Sequence, residues 1–181
     1  LVQDAVMKRF DGIDFAFQRE QLGTGHAVQC SLDIIKEVVT DILVLCGDTP
    51  FLTTETLRLL IDLHSKNGAE VTMLTAEFDD PTGYGRILRD SSGKVIGIIE
   101  EIDADDMQRR IKEVNTGVYI FKREILHKFL PSLTNDNAQG EYYLTDVIKL
   151  VFQDSGVVDA MKVVDSDEVM GINTIEQLNL M

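Results

Sequence analysis

A chain of 181 residues with 44% hydrophobic content is long enough for one domain with a real core. Its 31 acidic and 17 basic residues give a formal charge of −14, which repels polyanions and excludes nucleic acid as an expected partner. No window approaches the roughly 20 apolar residues of a membrane span, and the start "LVQDAVMKRFDG" lacks the basic region and cleavage site of a signal peptide. No membrane partner is therefore expected, and the cytoplasm is the expected compartment.

In chain order, "IDFAF" (13–17) reads as a strand, followed by a turn at Gly23–Thr24–Gly25. Val28, Leu32, Ile35 and Val39 then recur at helical spacing, with Ala27, Ile34 and Val38 beside them, which predicts a helix. "DILVLCGD" (41–48) is a continuous apolar run typical of a strand covered on both faces. Thr53 or Thr54 can cap the helix "TETLRLLIDLHSK", and "AEVTMLTAEF" reads as another buried strand. From residue 80 the texture changes to a hairpin, two β-runs joined by Asp90–Ser91–Ser92–Gly93, which reads as an insertion forming a lip over a site. "EVNTGVYIF" returns as a strand, "KREILHKFLPSL" and "LTDVIKLVFQDSG" as helices, "VVDAMKVV" as a strand and "TIEQLNLM" as a last helix. The alternation predicts an α/β fold, a mixed, mostly parallel sheet with helices on both faces, in a single domain over 1–181.

Cys30 and Cys46 have no metal-ligand spacing and are expected as free, mostly buried thiols; a disulfide would need an oxidising compartment. His64 and His127 fall in helical segments and are expected at the surface or half-buried. The turn at Gly23 and Gly25 admits two readings. It is a strand-to-helix turn capped by Thr24, or it is the edge of a site read by Gln18, whose amide offers an acceptor and two donors. Asp48, after Gly47 at the end of an apolar run, is likewise either a loop-capping residue or a Mg²⁺ ligand.

"QREQLGTGHAV", "LCGDTPFL", "DDPTGYGRILRD", "VNTGVYIF", "NDNAQGEYYLTDVI" and "GINTIEQL" spread over residues 18 to 178. In order and spacing they resemble the uridylyltransferase domain of the bacterial N-acetylglucosamine-1-phosphate uridylyltransferases. "GD" and "GYGR" also occur in other sugar-phosphate nucleotidyltransferases, whereas "QLGTGHA" and "NAQGEYYLTD" are more specific.

The resemblance implies a Rossmann-like nucleotidyltransferase fold. It implies transfer of UMP from UTP to N-acetylglucosamine 1-phosphate, giving pyrophosphate and UDP-N-acetylglucosamine, a cell-wall precursor. By the same resemblance Gln18, Gly23 and Thr24 hold uracil, and Gly47 and Asp48 lie at the ribose and phosphates. Gly85, Glu100, Asn115, Tyr143 and Thr145 line the sugar-phosphate side, and Asp48 with Asn173 binds Mg²⁺ and serves catalysis. Such chemistry needs no Ser-His-Asp constellation, because a sugar phosphate is already an oxyanion, so no histidine is assigned a catalytic role.

Four departures accompany the resemblance. The family's glycine-rich loop and catalytic lysine precede the region matched by residue 1, and its C-terminal left-handed β-helix is expected to be lacking. Ile102 stands where lysine is usual, and Thr174–Ile175 follow Asn173 where polar residues are common. The expectations drawn from them are low activity and either self-association or dependence on an N-terminal segment. Another sugar-1-phosphate nucleotidyltransferase and a non-catalytic ligand-binding fragment are the alternatives.

Overall fold

The computed structural model describes residues 2–172, 174 and 175. Five helices and six strands are defined among them: α1 (Val2–Met7), α2 (Thr24–Leu32), β1 (Asp41–Val44), α3 (Thr54–Asn67), β2 (Val71–Glu77), β3 (Arg86–Arg89), β4 (Val95–Ile99), β5 (Glu113–Lys122), α4 (Arg123–Phe129), α5 (Asp146–Gln153) and β6 (Val158–Lys162). The α/β class stands.

The strand order is β4-β3-β5-β2-β6, with β1 also on β5. Contrary to the expected mostly parallel sheet, among the described residues only β2 and β6 pair in parallel; β5 runs antiparallel to β1, β2 and β3, and β3 to β4. Apolar runs report burial and carry no direction, so an antiparallel strand inserted between two co-directional ones is invisible in them. β1, β2 and β6 still point the same way.

β5 is the hinge of the architecture. Its whole length lies along β2, so β3 and β1 share its other edge: Arg86 of β3 pairs with Val114, and Asp41 to Val44 of β1 pair with Lys122 to Tyr119. The two strands part at residues 115–118. There the register against β2 slips, since Met73 faces Tyr119 while Thr75 faces Asn115, and Gly117 sits at φ 76°. A bulge of this kind re-aims side chains, and here it lies at the fork.

The sheet is covered on both faces. Val71, Met73, Tyr119 and Phe121 pack with Leu126, Val147, Ile148 and Val151 of α4 and α5. The alternate residues Leu74, Ala76, Val118 and Ile120 meet Leu60 of α3 together with Val163 and Val169. This period-2 split along β2 and β5 makes a three-layer core.

Several expectations fail for local reasons. Residues 13–17 form no strand: no strand pairs with them among the described residues, and Ile13 and Phe17 are exposed. α2 stops at Leu32, where the β-branched run Ile34, Ile35, Val38, Val39 follows; Val28, Leu32 and Ile35 face the core while Ile34 and Val38 face outward. β1 alternates between exposed and half-buried residues instead of being covered on both faces. The 90–93 hairpin forms, with the Asp90 carboxylate accepting from the amides of Ser92 and Lys94, but β3 and β4 extend the main sheet and are not an insertion. Thr53 caps α3 by accepting from the Thr56 amide. His64 is buried, between the Thr72 hydroxyl at 2.8 Å and the Asp41 carboxylate at 3.2 Å, and His127 is exposed. Both thiols are free, yet Cys30 is half-buried and Cys46 exposed. The expected last helix lies mostly outside the described residues.

Candidate functional site

A cleft of about 640 Å³ opens at the fork between β1 and β3. That is the size of a small-molecule site. Thr24, Ala27, Val28 and Ser31 of α2 form one wall, Ile42 to Cys46 a second, and Glu100, Asn115, Gly117, Tyr119 and Thr145 the floor and far side. It runs along β1 and on past its carboxyl end, the side on which open α/β sheets place ligands.

The turn that begins α2 is built against the segment before α5. Gly23 caps the helix at φ 104°, with no side-chain capping bond, so Thr24 is not the cap. A Cβ on Gly23 would stand 2.7 Å from the Tyr142 carbonyl oxygen, and one on Gly25 2.6 Å from the Leu133 side chain. The glycines are required by backbone angle and by close approach. Gly25 donates to the Tyr142 carbonyl (2.8 Å), and the Leu144 amide donates to the Thr24 hydroxyl (3.0 Å). Gln18 lies in an irregular segment and not at a strand end; its Nε2 donates to the Gly23 carbonyl at 3.0 Å.

Across the cleft, Glu100 follows β4 directly. Its Oε1 accepts from the Thr145 hydroxyl at 3.0 Å, and a Cβ on Gly85 would come within 3.1 Å of Oε2. Burial pushes the Glu100 carboxyl above its ordinary range, opposed by the Thr145 bond and reinforced by Asp103 and Asp146. The Asn115 backbone N–H donates to the Gly85 carbonyl (2.8 Å), and its side-chain Oδ1 accepts from the Tyr119 hydroxyl (2.7 Å) and the Gly117 backbone amide (3.2 Å). That leaves Nδ2 as its free donor. Tyr143 is buried, its hydroxyl has no partner, and burial with the nearby carboxylates pushes it up to about 12.

Thus four expected residues, Thr24, Glu100, Asn115 and Thr145, line one cleft. Gln18, Gly23, Gly85 and Tyr143 are not among the lining residues, and Gly47 and Asp48 follow Cys46 at its rim, both exposed. The Ile172 amide donates to the Asp48 carbonyl at 2.8 Å, which brings the chain next to Asn173 alongside Asp48; Asn173 itself lies outside the described residues. Arg86 of "GYGR" is fully buried and bonds the carbonyls of Tyr84 and Arg109, a role in holding the loop.

Among the cleft residues not foreseen as part of a site are Cys46, Gly117 and Tyr119. A Cβ on Gly117 would collide with the Cys46 sulfur. The available signal was a glycine interrupting a strand pattern, which marks a bulge or a close approach.

Among the described residues no helix is long and apolar enough to cross a membrane, and no group of three or more His, Cys, Asp or Glu could hold a metal. Residues 5–166 match the nucleotidyl transferase family. The chain is 50% identical over 176 residues to the Bifunctional protein GlmU of Heliobacterium modesticaldum, covering 97% of this chain and 38% of that protein. It is 48% identical over 178 residues to the protein of the same name from Trichlorobacter lovleyi, covering 97% and 39%. The chain therefore spans about two fifths of the length of these relatives. Among solved structures, HddC from Yersinia pseudotuberculosis complexed with GMP-PN superposes with a TM-score of 0.63 at 21% identity, over 99% of this chain and 71% of that one. That similarity shows the fold alone; the family match over residues 5–166 and the close relatives place this chain in the nucleotidyl transferase family.

Proposed function

We propose that the chain carries the site for transfer of UMP from UTP to N-acetylglucosamine 1-phosphate, a cytoplasmic reaction giving UDP-N-acetylglucosamine and pyrophosphate. The observation that carries this reading is the fork in the sheet, which sets the Gly23–Thr24 turn opposite Glu100, Asn115 and Thr145 across one cleft. The Gly25 amide is taken by the Tyr142 carbonyl, which leaves the Thr24 amide, without a partner inside the helix, to suit a carbonyl oxygen of uracil. Gln18, bonded to that turn, reads the rest of the base edge.

On the other wall Glu100 accepts from sugar hydroxyls and Nδ2 of Asn115 donates to the N-acetyl oxygen. A sugar-phosphate oxygen forms the new bond to the α-phosphorus of UTP as the bond to the β-phosphate oxygen breaks. The attacking oxygen is already ionised, so the residues position and no base is needed.

Asp48 offers a hard oxygen at the rim, and Asn173 is the second ligand that the resemblance implies. One carboxylate and one amide, completed by phosphates and water, fit the few protein ligands that Mg²⁺ takes. Bound there, Mg²⁺ neutralises phosphate charge, which a protein of formal charge −14 otherwise opposes.

The test is calorimetric titration of the chain with UDP-N-acetylglucosamine in Mg²⁺, beside a panel of other nucleotide sugars, with pyrophosphate release assayed on the matching substrates. Tightest binding of UDP-N-acetylglucosamine supports the reading. Preference for another base or sugar would reassign the substrate, and no binding of any nucleotide sugar would overturn it.

A further inference from the structure

The amide of Gln18 is held from two sides. Its Nε2 lies 3.0 Å from the Gly23 carbonyl oxygen. A carbonyl only accepts, so the NH₂ end faces the turn. The same Nε2 lies 3.1 Å from Nδ1 of His26. With one N–H given to Gly23, the second points at Nδ1, which accepts and so carries no proton. The ring proton then sits on Nε2, 3.6 Å from the Cys30 sulfur one turn further along α2.

Both donors of Gln18 are thereby committed, and Oε1 is the atom left for a ligand. An acceptor there suits a base with a ring N–H, as uracil has at N3. It repels the lone pair that cytosine carries at the same position. Turning the amide over would set Oε1 against the Gly23 oxygen and the His26 lone pair. With His26 removed, one N–H is released and the amide can offer cytosine a donor.

We infer that His26 is a positioning residue that holds the Gln18 amide oxygen toward the base and so sets the preference for uracil over cytosine. This rests on the proposed role of Gln18 in reading the base. Sequence reasoning gave His26 no such part.

The experiment compares UDP and CDP binding by calorimetry at fixed Mg²⁺ in the parent chain, Gln18→Ala, His26→Leu and His26→Asn, with thermal midpoints recorded for each. The asparagine carbonyl can stand near the place of Nδ1 and accept the same N–H. His26→Leu should lower the UDP-to-CDP affinity ratio roughly tenfold, the effect of about one hydrogen bond. His26→Asn should recover most of that ratio, whatever its thermal midpoint. An unchanged ratio in His26→Leu overturns the inference, and so does an equal loss in both variants, which would mean that His26 acts through packing. Unchanged UDP affinity in Gln18→Ala is a different result: it removes the base-reading role on which the inference stands.

Discussion

The hydroxyl of Thr24 accepts from the backbone amide of Leu144 at 3.0 Å, across 120 residues of sequence. This bond ties the turn before α2 to the segment that delivers Thr145 to the opposite wall. Thr24→Val leaves the Leu144 amide without its acceptor and should cost about 1–3 kcal/mol in urea denaturation. Thr24→Ser should retain most of the stability. Equal loss in the two variants would show that the methyl group, and not the oxygen, is what matters.

Gly23 combines φ 104° with a backbone oxygen 2.7 Å from where a Cβ would stand, whereas Gly12, at φ 74°, has open space around it. Strain alone costs about 1–3 kcal/mol. Gly23→Ala should therefore exceed Gly12→Ala in lost stability, and it alone should weaken UDP binding. Equal effects in thermal unfolding would mean that the turn can shift away from Tyr142.

Glu100 titrates above its ordinary range because burial disfavours its charge. The folded state thus holds the proton more tightly than the unfolded one. Stability from this group is full below the ordinary carboxylate range and is lost as the pH rises through the raised value. Glu100→Gln should accordingly raise the thermal midpoint at pH 7, leave it little changed near pH 3, and weaken sugar-phosphate binding. A lower midpoint at pH 7 would show that the bond to Thr145 outweighs burial.

Asp48 offers its backbone oxygen to Ile172 while its side chain is exposed. Asp48→Asn keeps that backbone bond, so stability should change by no more than about 0.5 kcal/mol. Mg²⁺-dependent gain in UTP affinity should fall at least about tenfold if the carboxylate is a ligand. Titrations with and without chelator measure it, and an undiminished Mg²⁺ effect would exclude Asp48 as a ligand.

Asn115 has its oxygen occupied by Tyr119 and Gly117, so only its NH₂ can address the sugar. Asn115→Ala should narrow the preference for UDP-N-acetylglucosamine over UDP-glucose by roughly tenfold, one hydrogen bond's worth. Tyr119→Phe, which frees the amide to rotate, should narrow it less. If the affinity ratio holds in Asn115→Ala, the N-acetyl group is recognised elsewhere.

Much of this arrangement was legible in the residues. The alternation of runs gave the α/β class, Asp90 to Gly93 gave the hairpin, and Thr53 gave the start of α3. The position of Thr24, Glu100, Asn115 and Thr145 on one cleft followed from motif resemblance rather than from pattern. What escaped is relational. The direction of β5 leaves no trace in its apolar residues, and the parting of β1 and β3 depends on which strand shares which edge. His64 looked like a surface histidine because its two partners, Thr72 and Asp41, belong to different strands. "IDFAF" has strand composition, yet a strand also requires a neighbour, and none pairs with it among the described residues. Gly117 was the one local signal left unused.

The wall that carries Cys46 and Asp48 hangs from β1, a strand of four residues whose pairing among the described residues is to β5 alone. A ribbon fastened along one side opens more readily than one fastened along two, so its amides should exchange with solvent faster than those of β2, which lies between β5 and β6. A ligand bridging the cleft would close that opening. Deuterium uptake over residues 41–46 is thus a built-in gauge of occupancy, able to register a bound molecule even when no product is formed.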